Sequence, residues 1–254
     1  MQIRVLDCHG GELLDLKTTC VQVGERLLID AGALVSNLTI DQQVEIDDIV
    51  VSHSHFDHIK DLAMMADVVA GRRRRPVTIH GSPRTIEAIR KFFFNDRLWP
   101  DFTRIPSRKN PTFALKVFRP GHAFEVAGLS VLPVPVAHPV ESMGFIVKGR
   151  SGAFAMSGDT GPTTRFWKEL NRTENLRFAM VELSFPDEQI EVAKISGHMT
   201  PRRLGAELRK LERRDIPVFL YHFKPAFARA LRAQLHRVGR AEIYPLSPGD
   251  TFTF

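Results

Sequence analysis

The stretch VVSHSHFDHIKDL, residues 50–62, places several metal-binding side chains directly behind an apolar run. Within six positions it contains His53, His55, Asp57 and His58. Imidazole nitrogens and carboxylate oxygens are good ligands for zinc and similar divalent ions, and such sites usually have three or more protein ligands. A single histidine is more often structural, but four such residues in this arrangement are not easily assigned to packing. We therefore predict that this stretch binds metal.

The local pattern around the cluster favours two ions rather than one. The apolar run DIVVS, residues 48–52, predicts a buried strand that ends directly before the histidines. His53 and His55 follow in a loop, one residue apart, and can point toward one ion. Asp57 and His58 then begin the next predicted helix and can face a second ion.

Three more polar residues follow apolar strands far along the chain. His138 ends VLPVPVAH, Asp159 ends AFAMSGD and His222 ends PVFLYH. A layered sheet presents functional groups at the edge where its strands stop. Each residue alone could equally be a hydrogen-bonded polar group at a strand end. Combined with the first cluster, they complete a predicted set of ligands for two metal ions.

The rest of the chain predicts strands alternating with helices. A helix is predicted from Pro83 to Phe93 with Ser82 as its N-cap, and further helices begin near Pro201 and Pro225. Apolar strands covered by amphipathic helices at both ends of the chain indicate a layered α/β domain. The predicted strands are IRVLD, CVQVGERLLIDAG (with a hairpin turn), DIVVS, LSVLPVPVAH, GFIVKG, GAFAMSGD, FAMVEL and IPVFLYH.

Length and composition limit the number of domains, the state of the cysteines, the cellular compartment and the class of partner. The 254 residues contain no Pro/Ser/Gly-rich linker, which favours a single domain over residues 1–254. The two cysteines, Cys8 and Cys20, are expected to be free thiols, with one disulfide as the alternative. No run approaches the roughly 20 apolar residues of a membrane span, so a soluble cytoplasmic protein is expected. The net charge of +6 favours an anionic substrate or nucleic acid.

The H-x-H-x-D-H cluster, followed by His, Asp and His at strand ends, resembles the metallo-β-lactamase superfamily over nearly the whole chain. This resemblance implies a four-layer αββα sandwich with a two-metal site at one edge. The ions would be divalent, with zinc expected and manganese or iron as alternatives. The fold alone does not select a substrate, because the superfamily hydrolyses lactams, thioesters, phosphodiesters and RNA. By position, one metal ion would be held by His53, His55 and His138, the other by Asp57, His58 and His222, and both by the bridging Asp159.

Stretches outside the metal cluster are more selective. FFFNDRLWPDFTRIP (92–106), SGDTGPTTRFW (157–167), ELSFPDE (182–188) and KISGHMTPRRL (194–204) resemble the class II cyclic-nucleotide phosphodiesterases. The resemblance implies hydrolysis of 3',5'-cyclic AMP or cyclic GMP to nucleoside 5'-monophosphates by a metal-bridging hydroxide.

The sequence departs from the pattern of that family at two positions. The family has leucine where Phe56 stands and glycine where Asp61 stands. Asp61 is predicted in the first turn of a helix, where the helix dipole favours a carboxylate. It would also add negative charge near the expected phosphate site.

Phosphodiester hydrolysis also follows from the chemistry of the residues. Two cations neutralise the anionic diester and lower the pKa of a bridging water. The departing alkoxide needs a proton, and His198 in SGHMTP is the predicted general acid. Glu182 is predicted to accept a hydrogen bond from the other ring nitrogen of His198 and to raise its pKa. Asp57 is expected to act on the bridging water, to bind metal, or both.

Substrate contacts are less well defined by the sequence. Asn95 and Trp99 are candidates for a purine pocket, because aromatic faces stack on bases. The neighbouring phenylalanines 92–94 have helical spacing, which more often indicates core. His80, His122 and His236 are expected in surface or packing roles, and His9 remains unassigned.

Other functions remain open. An RNA-processing nuclease resembling ribonuclease Z would also use the Glu182 and His198 pair and the basic charge, but no insertion that would form its RNA-gripping arm is evident. A glyoxalase II type thioesterase does not explain FNDRLWPDF, and a non-catalytic metal-binding or sensor domain does not explain the full ligand set. Dimerisation is common in the superfamily, which leaves a homodimer as an alternative to a monomer.

Overall fold

The computed structural model describes residues 1–240 and 242–254. Its strands are β1 (Gln2–Asp7), β2 (Cys20–Val23), β3 (Leu27–Ile29), β4 (Asp48–Val50), β5 (Val77–Gly81), β6 (Pro106–Ser107), β7 (Asn110–Pro111), β8 (Phe113–Val117), β9 (Phe124–Val126), β10 (Leu129–Val136), β11 (Ser142–Gly149), β12 (Gly152–Met156), β13 (Leu176–Glu182), β14 (Val218–Tyr221), β15 (Ile243–Pro245) and β16 (Thr251–Thr253). Its α-helices are α1 (Leu34–Asn37), α2 (Ile40–Glu45), α3 (Phe56–Ile59), α4 (Asp61–Val69), α5 (Pro83–Ala88), α6 (Arg165–Arg172), α7 (Ile190–Ile195), α8 (Pro201–Leu208) and α9 (Ala228–Gln234). Short 3₁₀ segments cover Asp187–Gln189, Pro225–Phe227 and Leu235–Val238.

The strands form two seven-stranded mixed sheets. The first has the order β16-β1-β2-β3-β4-β5-β8, and the second has the order β15-β14-β13-β12-β11-β10-β9. In each sheet, antiparallel strands at one end give way to parallel strands at the other, the change occurring at β3 and β12. The carboxyl ends of the parallel strands lie at the same edge of each sheet. The predicted ligands lie at this edge.

Apolar side chains divide the molecule into four layers. Val5, Phe145 and Phe154 lie in the core between the two sheets. A second core lies between the first sheet and helices that include α4, and a third lies between the second sheet and helices that include α6. Each fully buried large side chain contributes about 1.5–3 kcal/mol to folding. The predicted αββα sandwich is confirmed.

Some elements differ from the sequence-based prediction. The helix predicted from Pro83 to Phe93 is α-helical only as far as Ala88, and Ile89–Phe93 forms a π-helical turn. Ser82 caps this helix as predicted, accepting a hydrogen bond from the backbone N–H of Thr85. Among the described residues, no helix combines the length and apolar character needed to span a lipid bilayer.

Candidate metal centre

The first group of predicted ligands lies at the ends of β4 and β10. One nitrogen from each of His53, His55 and His138 can be chosen so that all lie within 4.8 Å of one another. Nδ1 of His55 and Nε2 of His138 are 3.1 Å apart. The three rings pack edge-to-face with centroids 4.7–4.9 Å apart.

The second group combines α3 with the loops after β12 and β14. Ligand atoms of Asp57, His58, Asp159 and His222 also lie within 4.8 Å of one another. Oδ2 of Asp159 is 3.3 Å from Nε2 of His58 and 3.2 Å from Nε2 of His222. The same oxygen is 3.7 Å from Nε2 of His53 in the first group. Asp159 therefore lies between the two groups.

Several polar atoms in these groups are buried without a hydrogen-bond partner among the described residues. They are Nε2 of His53, His58 and His222 and Oδ1 of Asp159. Buried polar atoms are normally paired, so a cluster of unpaired ones calls for an explanation. Imidazole nitrogens and carboxylate oxygens facing one space are the donors that zinc and related ions require. The residues present therefore fit divalent metal ions.

On the side away from this space, two of the histidines are held by Asp30. Nδ1 of His58 donates to Oδ2 of Asp30 at 2.7 Å. Nδ1 of His53 donates to Oγ of Ser52 at 3.0 Å, and that hydroxyl donates to Oδ2 of Asp30 at 2.9 Å. Such contacts fix the ring orientation and leave the Nε2 lone pairs facing inward.

The other side of the centre has equivalent contacts. Nδ1 of His222 donates to Oγ of Ser184 at 3.0 Å, and Nδ1 of His138 donates to the carbonyl oxygen of Gly197 at 3.1 Å. His222 has a φ of 67° in the left-handed region, where backbone strain is common at functional sites. Asp30 shares this feature with a φ of 60°.

Neither Asp30, Ser52 nor Ser184 was predicted from the sequence. Asp30 did have a signal, because it directly follows the apolar strand β3, and Asp159 likewise comes three positions after the end of β12. Ser52 and Ser184 had none, because serines at strand ends are common and their contacts depend on the packing of distant loops.

Burial and the opposing charges set the protonation of the centre. Burial lowers the pKa of His53 well below its usual range and the pKa of His138 to about 4. Both rings are therefore neutral at pH 7, as metal binding requires. Burial also acts to raise the pKa of Asp159, but the neighbouring His222 and His58 outweigh it and hold that pKa well below its usual range.

The predicted acid pair lies beside the second ligand group. Nδ1 of His198 is 3.0 Å from Oε1 of Glu182, which is fully buried at the end of β13. Burial acts to lower the pKa of His198, but the charge and hydrogen bond of Glu182 outweigh it and raise that pKa above its usual value. The His198 ring stacks on His222 with centroids 5.3 Å apart. The structure therefore brings His198 and Glu182 to the edge of the ligand cluster.

Lys224 is a basic residue at the centre that was not predicted. Its Nζ is 3.9 Å from Oδ2 of Asp57 and donates to the carbonyl oxygen of Gly10 at 2.6 Å. It follows His222 by two positions, but a lysine after a strand has no distinctive sequence signal. Its ammonium adds positive charge beside the ligand groups.

The candidate substrate contacts lie on the loop after α5. The side-chain oxygen of Asn95 accepts from the backbone N–H groups of Arg97 and Leu98, so the amide stabilises its own turn. Trp99 packs against the core beneath α4 and α5, and its Nε1 lacks a partner among the described residues. A role for Asn95 and Trp99 in substrate binding stays a prediction.

The two departures from the family pattern have different environments. Asp61 is buried, and its Oδ2 accepts from the backbone N–H of Val35 at 2.9 Å. Its Oδ1 is 2.7 Å from Nζ of Lys60. Its charge is thus paired rather than free. Phe56 is 63% exposed beside the ligand residues.

The remaining histidines lie away from these groups or have other partners. His80 has Nε2 2.7 Å from Oδ1 of Asp48, and His9 has Nδ1 2.7 Å from Oδ1 of Asp7. His122 and His236 are exposed.

Comparison with known families identifies this architecture. The sequence model of the beta-lactamase superfamily domain matches residues 25–223. The chain belongs to this superfamily. Its metallo-β-lactamase fold implies divalent metal ions, and the two His/Asp groups supply ligands suited to them.

Curated relatives within the superfamily are similar over most of the chain. A probable 3',5'-cyclic-nucleotide phosphodiesterase of Yersinia pestis is 30% identical over 201 residues, which is 70% of this chain and 57% of the relative. The 3',5'-cyclic-nucleotide phosphodiesterase 1 of Saccharomyces cerevisiae is 28% identical over 191 residues, which is 65% of this chain and 51% of the relative. The chain thus spans little more than half the length of these two relatives.

Solved structures share the fold over nearly the full chain. Unliganded yeast PDE1 superposes with a TM-score of 0.82 at 19% identity, covering 98% of both chains. The short form of human tRNase Z superposes with a TM-score of 0.69 at 15% identity, covering 100% of this chain and 99% of the other. At these identities, the likeness shows the fold alone.

Proposed function

We propose that the protein is a metal-dependent phosphodiesterase that hydrolyses 3',5'-cyclic nucleotides to nucleoside 5'-monophosphates. The observation that carries this proposal is the position of Asp159 between two ligand groups, with the His198 and Glu182 pair alongside. The names of the curated relatives from Yersinia pestis and Saccharomyces cerevisiae support the choice of substrate.

The proposed ligand roles follow the two groups. Two divalent ions, proposed to be zinc, would be bound by the residues named above, and Asp159 would contact both. Bound ions supply positive charge that neutralises the diester, and they activate a water nucleophile. Asp57 combines a place in the second group with a carboxylate that is 26% exposed, so it can also accept a proton from the attacking water.

The chain's own residues complete the reaction. Water adds its oxygen to phosphorus, the 3' P–O bond breaks, and the 3' oxygen takes a proton from His198. Because Nδ1 of His198 donates to Glu182, the proton to be transferred is held on Nε2. The raised pKa of His198 favours the protonated form that this step needs. General-acid catalysis of this kind contributes about 10²–10⁴-fold.

Lys224 is proposed to assist substrate binding. Its ammonium lies beside Asp57 and faces the region where the anionic phosphoryl group would sit. A fixed cation in a partly buried site strengthens the binding of a charged transition state.

A substrate panel tests the proposal. Purified, metal-analysed protein is incubated with cyclic AMP, cyclic GMP, bis(p-nitrophenyl) phosphate and a precursor tRNA. We expect release of nucleoside 5'-monophosphate that is lost in Asp57→Ala and retained in His236→Ala, an exposed histidine away from the centre. Intact cyclic nucleotides in the presence of bound metal would refute the substrate assignment.

An RNA-processing nuclease is the second candidate, since the fold is shared with human tRNase Z. Cleavage of the tRNA with cyclic nucleotides intact would favour it. The salt dependence of substrate binding distinguishes the two candidate functions. RNA binding through many phosphates weakens steeply as salt increases, whereas the binding of a cyclic nucleotide weakens far less.

A further inference from the structure

A surface cavity adjoins the candidate metal centre on the side of His138. Its volume is about 390 Å³, within the range of small-molecule sites. Besides His138, its walls include Pro139, Pro162 and Ile195, which are apolar, and Arg203 from α8. Ile195 is 82% exposed, so its aliphatic side chain is available to contact a ligand in the cavity.

Among the described residues that line this cavity, Arg203 carries the one guanidinium, and that guanidinium forms no salt bridge. Its Nη1 donates to the carbonyl oxygen of His198 at 2.7 Å. Within residues 1–240 and 242–254, no carboxylate lies within salt-bridge distance and no other acceptor contacts this guanidinium. Burial lowers the pKa of Arg203 and outweighs the charges of Glu182 and Glu207, which lie beyond salt-bridge distance and act to raise it. By contrast, the Lys194 ammonium at the cavity rim is paired with Glu191 at 2.8 Å.

The location restricts what the cavity can hold. The phosphoryl group of a cyclic nucleotide must lie at the ligand groups, and His138 is a wall of both spaces. The rest of the nucleotide can then extend past His138 into the cavity. Walls that are largely apolar, with a few polar groups such as Arg203, suit a flat base, as in other small-molecule sites.

We propose that this cavity binds the base of the nucleotide and that Arg203 makes the site selective for guanine. A guanidinium has donors only. Guanine presents two adjacent acceptors, N7 and O6, whereas adenine presents one acceptor and one donor at the same positions. Arg203 therefore pairs with guanine and meets an opposing donor in adenine. This inference rests on the proposed function and adds its base preference.

The test compares cyclic GMP with cyclic AMP in wild type, Arg203→Met and Arg202→Met. Arg202 is the matched control, because it precedes Arg203 on α8 but points away and lies 3.5 Å from Asp187. We expect kcat/KM to favour cyclic GMP by about tenfold or more in wild type and Arg202→Met. The ratio should fall to near one in Arg203→Met.

The ratio separates base recognition from damage to His198. In both nucleotides the 3' oxygen is the leaving group. A disturbed His198 or a lost phosphate contact therefore lowers both hydrolysis rates equally and leaves the ratio of kcat/KM values unchanged. An unchanged ratio in Arg203→Met, or no preference in wild type, would overturn the inference.

A second variant tests the cavity itself. A Cβ at Gly161 would lie 3.6 Å from Nη2 of Arg203, from the carbonyl oxygen of Ala137 and from the carbonyl carbon of Gly197, all ordinary contact distances, so the backbone accepts a Cβ here and Gly161→Leu adds bulk to a wall of the cavity. We expect this variant to weaken binding of both nucleotides at least tenfold while leaving metal content unchanged. Unchanged nucleotide binding would contradict the assignment of the cavity.

Equilibrium binding of 5'-GMP and 5'-AMP tests the base preference without requiring hydrolysis. If neither cyclic nucleotide is hydrolysed, the proposed function fails. The base assignment would still be supported by tighter binding of 5'-GMP that Arg203→Met abolishes, and refuted by equal binding of the two nucleotides.

Discussion

At the scale of single residues, Asp30 joins the two proposed metal sites. It accepts directly from His58 and, through Ser52, from His53. It also accepts from the backbone N–H of Ser52 at 2.7 Å. One buried carboxylate thus orients a histidine of each ligand group, which makes Asp30 a positioning residue for the whole centre.

Asp30→Asn tests this role with little change in shape. Asparagine tolerates the left-handed backbone conformation at this position, so the loop should be kept. The loss of a charged acceptor should weaken metal binding about 10–100-fold, measured by competition with a chelator. Asp48→Asn is the control, because it alters a similar aspartate–histidine pair, with His80, outside the centre. Equal metal affinity in Asp30→Asn and wild type would contradict the role.

His198→Ala separates proton donation from metal binding. We expect hydrolysis of cyclic nucleotides to fall about 10²–10⁴-fold, since their alkoxide leaving group needs a proton. Bis(p-nitrophenyl) phosphate should be affected much less, because p-nitrophenolate leaves without one. Glu182→Gln should show the same pattern with a smaller loss. If both substrates lost activity equally while metal content stayed constant, His198 would not be the acid.

The sequence predicts the proposed ligand residues but not their surroundings. His53, His55, Asp57 and His58 are close in sequence, so their proximity in space follows from a strand, a loop and a helix turn. The packing of Gly10 against His222 is different. A Cβ at Gly10 would lie 2.6 Å from the His222 carbonyl oxygen, a close approach between distant loops that no local pattern indicates.

At the scale of elements, the turn between β5 and α5 is linked to the loop that carries His138. Ser82 accepts from the backbone N–H of Thr85 at 3.3 Å and donates to the carboxylate of Glu141. Glu141 also accepts from the backbone N–H of Arg84 at 3.2 Å. The N-terminus of α5 therefore helps to hold the β10–β11 connection.

Ser82→Ala should destabilise the protein by about 0.5–2 kcal/mol through loss of this cap. Urea unfolding measures the change. Ser130→Ala on β10 is a suitable control, because its hydroxyl has no side-chain hydrogen bond among the described residues. A Ser82 variant as stable as the Ser130 variant would show that the cap contributes little.

Most strands were predictable from apolar runs, but the edge strands were not. β8, β9, β15 and β16 have half-buried or exposed faces, which weakens the apolar signal. The π-helical turn at Ile89–Phe93 keeps the helical spacing of its phenylalanines, so periodicity alone could not distinguish it from α-helix.

At the scale of the whole molecule, metal binding should couple to stability. The proposed ligands come from both sheets, with His53 after β4 in the first and Asp159 after β12 in the second. Ions bound between them would join the two sheets at one edge. A ligand that binds only the folded state at 100 times its Kd stabilises it by about 2.7 kcal/mol.

We therefore expect zinc to raise the Tm of chelator-treated protein, measured by calorimetry. Asp159→Ala should lose most of this increase because it removes the residue proposed to contact both ions. A Tm that is the same with and without zinc in wild type would contradict a metal centre between the sheets.

The most direct test of phosphodiester hydrolysis at this centre follows the products by phosphorus NMR in ¹⁸O-labelled water. Cyclic GMP and cyclic AMP are incubated with metal-loaded wild type and with Asp57→Ala. Wild type should give the nucleoside 5'-monophosphate with one ¹⁸O on phosphorus, and the variant should leave the substrate intact. A nucleoside 3'-monophosphate, or cyclic nucleotide unchanged by the metal-loaded wild type, would contradict the proposed reaction.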